Sequence, residues 1–207
     1  MVNTKNNALI LIIVLVSFLG FCIENTFICA HSGFIDNRNM ILPFIFGYGL
    51  AIFGIYKLFG TPDAPLFFGR QVFFANRFWG FIYYFTVAFL VVSIGEVILG
   101  TATEHLFEII WWDYTRIPLH ITRYTSIPTS LAFATLITVF MKYFFTTLLD
   151  AFSKINPRAL SFLAIAFVIV LSADMVNSAI YMARHHRLLS LWKIEVGEEF
   201  KSVFGKN

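Results

Sequence analysis

Charge is what this sequence has least of. Only 13% of its 207 residues are Asp, Glu, Lys or Arg and 58% are hydrophobic, whereas an ordinary soluble domain is about 25% charged. So few charges cannot cover a water-facing surface, which excludes a soluble globular fold. Cysteine is almost missing too. Cys22 and Cys29 are seven residues apart, so on a helix their Cα atoms would lie about 10 Å apart, beyond disulfide reach. They therefore say nothing about redox compartment. The net charge of +3 comes without the clustered basic stripe that nucleic acid requires, so no nucleic-acid partner is expected. The chain has no Gly-x4-Gly-Lys-Ser/Thr, Gly-x-Ser-x-Gly or His-Glu-x2-His stretch, hence no P-loop of its own and no familiar hydrolase or zinc motif. His105, Glu108 and His120 lack the Glu-x2-His order and the second copy of di-iron bundles, so no metal and no cofactor are expected.

Long apolar runs are what the sequence does have, with a mean hydropathy of +0.77. Ala8 to Ala30, Met40 to Gly60, Trp79 to Thr103, Ile127 to Phe152 and Ala159 to Ala183 each approach or exceed the roughly 20 residues that cross a bilayer. The expected fold is therefore all-α: a polytopic helical bundle of about five transmembrane helices in the cytoplasmic membrane, with the lipid bilayer as its first partner. The first run is too long for a signal-peptide core and has no cleavage site of small residues, so it reads as a retained helix. Lys and Arg are divided almost evenly between the two sides. The basic connection after the second run places the N-terminal side, side A, in the cytoplasm.

Residues 104–127, with seven formal charges or histidines among tryptophans and tyrosines, are too polar to span freely. They read as an interfacial or re-entrant loop on the opposite side, side B. Residues 1–184 form the transmembrane domain and 185–207 a tail. In that tail Leu188 to Phe200 patterns as an amphipathic surface helix or a packed helix, and the basic end around His185 and His186 suits lipid headgroups. The chain also echoes itself. Gly20-x3-Glu24 returns as Gly100-x3-Glu104, and Arg38-x4-Pro43 as Arg123-x4-Pro128. Either chance or a two-fold repeat of 8–60 and 79–152, with 159–183 as a fifth span, accounts for such short matches.

Ionisable groups within the runs need partners, water or a function, because each costs about 2.5–3.5 kcal/mol on the insertion scale. At 1.5 Å per residue, Glu24, Glu96 and Asp174 fall in one layer roughly 20–25 Å from side A. Small or polar neighbours (Ser17, Gly20, Asn25, Ser93, Gly100, Ser172 and Asn177) point their helix faces inward. Carboxylates grouped in this way call for cations, and Arg38, Arg116 and Arg123 are at hand. One reading is a polar pocket open to side B, with Glu24, Glu96 and Asp174 as its floor and Arg38, Glu104, Asp113, His120 and Arg123 as its rim. The other is a set of structural ion pairs that orient helices. Lys142, nearer side A, is expected to snorkel to that interface or to face Thr146 along its own helix.

Gly20 to Glu24, Asn37-Arg38-Asn39, Pro43 with Phe46-Gly47-Tyr48-Gly49, Gly100 to Glu104, and Trp112-Asp113-Tyr114 with Pro118 occur in this order. In that order the sequence resembles the "putative ABC-transporter type IV" (CmpB-like) family of bacterial membrane proteins, labelled ABC transporter permeases, over about Ser17 to Ala132. It departs from the family pattern at Asn39 and Phe46, where the family shows glycine and tyrosine, and at His120 and Arg123, where asparagine and glycine are expected. The resemblance implies that Glu24, Arg38, Glu104, Trp112 and Asp113 belong to one shared constellation. It implies a transport component, a permease that either borrows separate ATPase subunits or works by an ion gradient. Two alternatives stay open: an intramembrane enzyme acting on a lipid or lipid-linked group, and a structural or regulatory membrane subunit.

Overall fold

The computed structural model describes residues 4–196. Among these residues five helices stand where five apolar runs were expected: α1 (Thr4–Ser32), α2 (Phe46–Phe59), α3 (Arg77–Phe107), a helix made of α4 (Ile127–Val139), a π-helical turn (Phe140–Phe144) and α5 (Phe145–Ser153), and α6 (Pro157–His185). Four of them are long and apolar enough to cross a membrane: Thr4–Ala30, Arg77–Phe107, Ile127–Ser153 and Pro157–His185. The all-α membrane bundle is thus the fold. The second run differs in length. Only 14 of its residues are helical, about 21 Å against a hydrocarbon core of roughly 30 Å. Its first residues are spent on an irregular segment, because Asn39 has a left-handed backbone with φ 64° and Pro43 follows.

The long helices begin and end on local signals. The side chain of Asn76 accepts the Trp79 N–H at the start of α3, Ser126 accepts that of Thr129 at the start of α4, and Asn156 accepts those of Arg158 and Ala159 at the start of α6. Each satisfies amides that have no intrahelical partner. Pro128 and Pro157 occupy the first turns of α4 and α6, where a missing N–H is harmless. Left-handed residues close α3 at Glu108 (φ 59°) and α6 at His186 (φ 50°).

The chain divides into two compact units, residues 1–50 with 156–207 and residues 51–155. In the first, α1 packs along α6, and Asn7 Nδ2 donates to Ser161 Oγ at 2.8 Å. Strand β1 (Phe34–Asp36) pairs antiparallel with β5 (Lys193–Glu195), in the register Phe34↔Glu195, Ile35↔Ile194 and Asp36↔Lys193. This corrects the tail. Residues 188–196 are not an amphipathic helix, because the edge of β1 and the Asn37 and Asn39 side chains take up their backbone groups. The rest of the expected helix lies outside the described residues.

In the second unit, α3 packs along α4. A small meander of β2 (Gly60–Thr61), β3 (Ala64–Phe67) and β4 (Arg70–Gln71) is held to α3 by the Tyr84 hydroxyl on the Gly60 carbonyl and the Tyr83 hydroxyl on the Leu66 carbonyl. Lys142 meets a loop rather than Thr146. It sits in the π-helical turn and donates to Asp63 Oδ1 of the meander at 2.5 Å, a pairing with a distant loop that helical spacing cannot reveal.

Candidate functional site

Glycine makes room for the first polar cluster. On α1, a Cβ at Gly20 would lie 2.6 Å from Cγ of Tyr48, so the tyrosine ring rests directly on the helix backbone. Glu24 stands one turn further along the same face, roughly 6 Å up the axis, and there the Tyr48 hydroxyl donates to Glu24 Oε1 at 2.5 Å. Arg38 approaches the other oxygen, with Nη2 3.4 Å from Glu24 Oε2, while its Nη1 lies 3.5 Å from Asp36 Oδ1. These contacts are longer than the 2.7–2.9 Å of a well-seated charge-assisted bond. The Arg38 Nε is buried without a hydrogen-bond partner among the described residues.

The second unit repeats the device. A Cβ at Gly100 of α3 would lie 2.3 Å from Cδ1 of Tyr124, and one turn on, the Tyr124 hydroxyl donates to Glu104 Oε2. Arg123 Nη1 lies 3.3 Å from Glu104 Oε1, and its Nε lies 3.7 Å from Asp113 Oδ2. Burial first, then the hydrogen bond and charge of Glu104, raise the Tyr124 pKa above the usual phenol value, so the hydroxyl stays protonated and donates. This second cluster is the more open: the Arg123 and Glu104 side chains are 43% and 42% exposed, against 16% and 28% for Arg38 and Glu24.

The remaining candidates fall around these two clusters. Asp174 of α6 is buried, and its two oxygens accept the backbone N–H groups of Ile41 and Leu42 at 2.9 Å each, tying down the segment that leads into α2. Glu96 of α3 accepts from Thr125 Oγ1 at 2.8 Å and from Ser130 Oγ at 3.5 Å. Trp112 donates Nε1–H to the Tyr124 carbonyl at 2.9 Å and sets its ring edge-on to Tyr124, which fixes the tyrosine that holds Glu104. His120 is exposed and contacts its own loop, with Nδ1 3.2 Å from the Ile117 carbonyl. The structure thus brings Glu24 together with Arg38, and Glu104 with Arg123 and Asp113. Glu96 and Asp174 each hold partners of their own.

Nothing in the sequence analysis assigns Tyr48 or Tyr124 to the site. The usable signal was the glycine four residues before each glutamate, which marks a seat for a ring on the helix face.

The Asp113 carboxyl is held below the ordinary carboxylate value, chiefly by the side-chain and backbone donors of Thr115 and more weakly by Arg123 and Arg116. A depressed folded value stabilises the loop fully above the ordinary value of 3.8, and that contribution is lost as pH falls through the lower folded value. Fluorescence of Trp111 and Trp112 should therefore carry an Asp113-dependent step only below about pH 4. The step should vanish in Asp113→Asn.

The sequence pattern of the family described as "Putative ABC-transporter type IV" matches residues 11–179. The chain belongs to that family. The match runs from within α1 to within α6, so it includes both clusters and ends before the tail. Comparison with curated proteins and with solved structures found no match. The chain is a multi-pass α-helical membrane protein of an ABC-transporter-type family.

Proposed function

We propose that the chain is the membrane-embedded permease component of a transporter, and that its two glutamate–tyrosine–arginine clusters contact the solute. Glu24 and Arg38 do so in the first unit, and Glu104, Asp113 and Arg123 in the second. Asp174, Glu96 and Trp112 hold the backbone and rings around them, and His120 stands at the exposed edge of its loop.

The observation that carries this reading is the repeated, loosely closed ion pair. A carboxylate on a membrane helix is expensive, and a purely structural tie is expected to close into short, bidentate geometry. Both pairs here stay open at 3.3–3.4 Å, with a tyrosine hydroxyl steadying the carboxylate. A charged solute can compete for either partner of such a pair without having to break a tight bond.

The chain carries no P-loop, so ATP-driven movement calls for separate ATPase subunits. Purification from native membranes in mild detergent should recover a P-loop ATPase, and proteoliposomes of that complex should move a charged solute from a panel of ions and small metabolites. Recovery of the protein without any ATPase, together with proteoliposomes that neither bind nor move any member of the panel, would contradict the reading.

A further inference from the structure

Arg38 is not secured on Glu24 by its own bonds. Its two guanidinium contacts are 3.4 and 3.5 Å long, its Nε has no partner among the described residues, and its backbone is left-handed with φ 48°, a conformation that non-glycine residues hold only when the surroundings impose it. Those surroundings are the residues on either side. Asn37 and Asn39 are 2% and 3% exposed, and both bond to the tail. Asn37 Nδ2 donates to the Leu189 carbonyl at 2.8 Å, and its Oδ1 accepts the Leu191 N–H at 3.0 Å. Asn39 Oδ1 accepts the Leu189 N–H at 2.6 Å. Beyond these, Val196 N–H donates to the Gly33 carbonyl at 2.9 Å, β5 pairs with β1, and Lys193 Nζ lies 4.2 Å from the centre of the Phe34 ring.

We propose that residues 187–196 are a strap that seats Arg38 on Glu24, so that docking or release of the strap sets the state of the first cluster and leaves the second alone. Two features make it a device rather than fixed packing. A three-residue strand whose side chains are all exposed belongs to the part of a structure that opens locally at low cost. Among the described residues the second cluster has no such strap, since its arginine and tyrosine are adjacent in one loop that closes on itself, with Tyr114 N–H on the Arg123 carbonyl and Ile121 and Thr122 N–H on that of Thr125. Asn39 tolerates the left-handed backbone nearly as glycine does, and it adds a side chain that grips Leu189. The inference concerns how the cluster is held, so it stands whether or not the clusters carry a solute.

Asn39→Gly keeps the backbone conformation and removes one of the three asparagine bonds to the strap, the one that accepts the Leu189 N–H, while the two from Asn37 remain. Hydrogen exchange read by mass spectrometry on the protein in nanodiscs should then rise about tenfold or more in both 188–196 and 34–40, the loss of a buried bond being expected to raise local opening by that order. The second segment includes the amides of Asp36 and Arg38, which bond to Asn25 and Asp36 side chains. Residues 108–125 should be unchanged. A disulfide between Ile35→Cys and Ile194→Cys, which are register partners, made with Cys22→Ser and Cys29→Ser, should return 34–40 of the Asn39→Gly protein to slow exchange until it is reduced. Unchanged exchange in 34–40, whether because the strap stays docked or because it opens alone, would overturn the proposal. So would an equal rise in 108–125.

Discussion

Gly100→Ala is expected to destabilise the protein by about 1–3 kcal/mol, the usual cost of forcing atoms into a packed site, and to move Tyr124 off Glu104. The added methyl would overlap the ring, with Cβ 2.3 Å from both Cγ and Cδ1 of Tyr124. Helix backbone and ring cannot both stay where they are, and the ring, held by its contacts with Glu104 and Trp112 rather than by a helical ladder, is the part that gives way. Gly20→Ala should do the same to Tyr48, where the closest approach is 2.6 Å. The control is on the same helix as Gly100. At Gly95 an added Cβ meets nothing within 4 Å, so Gly95→Ala should be neutral or gain up to about 1 kcal/mol of helix propensity. Thermal unfolding in detergent, followed by circular dichroism, separates the three. Equal midpoints for Gly95→Ala and Gly100→Ala would show that the glycine does not seat the ring.

Asp174→Ala should also be costly, through unsatisfied amides rather than overpacking. Ile41 and Leu42 would each lose their acceptor at 2.9 Å, at about 1–3 kcal/mol for each amide that finds no replacement. Asp174→Asn keeps one acceptor and should fall between alanine and the native residue. Exchange of the Ile41 and Leu42 amides, measured alongside the unfolding midpoint, should rise in the same order. Fast exchange of both amides already in the native protein would show that Asp174 does not hold this segment.

The bundle was legible in the sequence because lipid imposes a simple rule, that apolar runs of sufficient length become helices. The start of α2 was less so. Pro43 warned of a break, but the length of the irregular segment depends on Asp174, 131 residues beyond Pro43 in the chain. The charged candidates were found for the same physical reason as the spans, since carboxyls in apolar runs are conspicuous. The tyrosines that hold Glu24 and Glu104 were not, because among 8 tyrosines nothing local distinguishes one that reaches back across a glycine. The tail misled for a related reason. Leu188, Leu189, Leu191, Trp192 and Val196 fit a helix as well as a strand, and the choice was made by Asn37 and Asn39, far away in sequence.

The two glutamate clusters are the heart of the account, and the most direct test separates their activity from their packing. Glu24→Gln and Glu104→Gln, each nearly isosteric and each able to keep a hydrogen bond to its tyrosine, are compared with the native protein for solute movement per folded molecule in proteoliposomes, with folded yield read by gel filtration. Movement per folded molecule should drop at least about tenfold in each variant, the scale of one lost charge-assisted contact, while folded yield stays near native. A loss of activity that merely tracks the loss of folded protein would mean that these charges hold helices together and do nothing more.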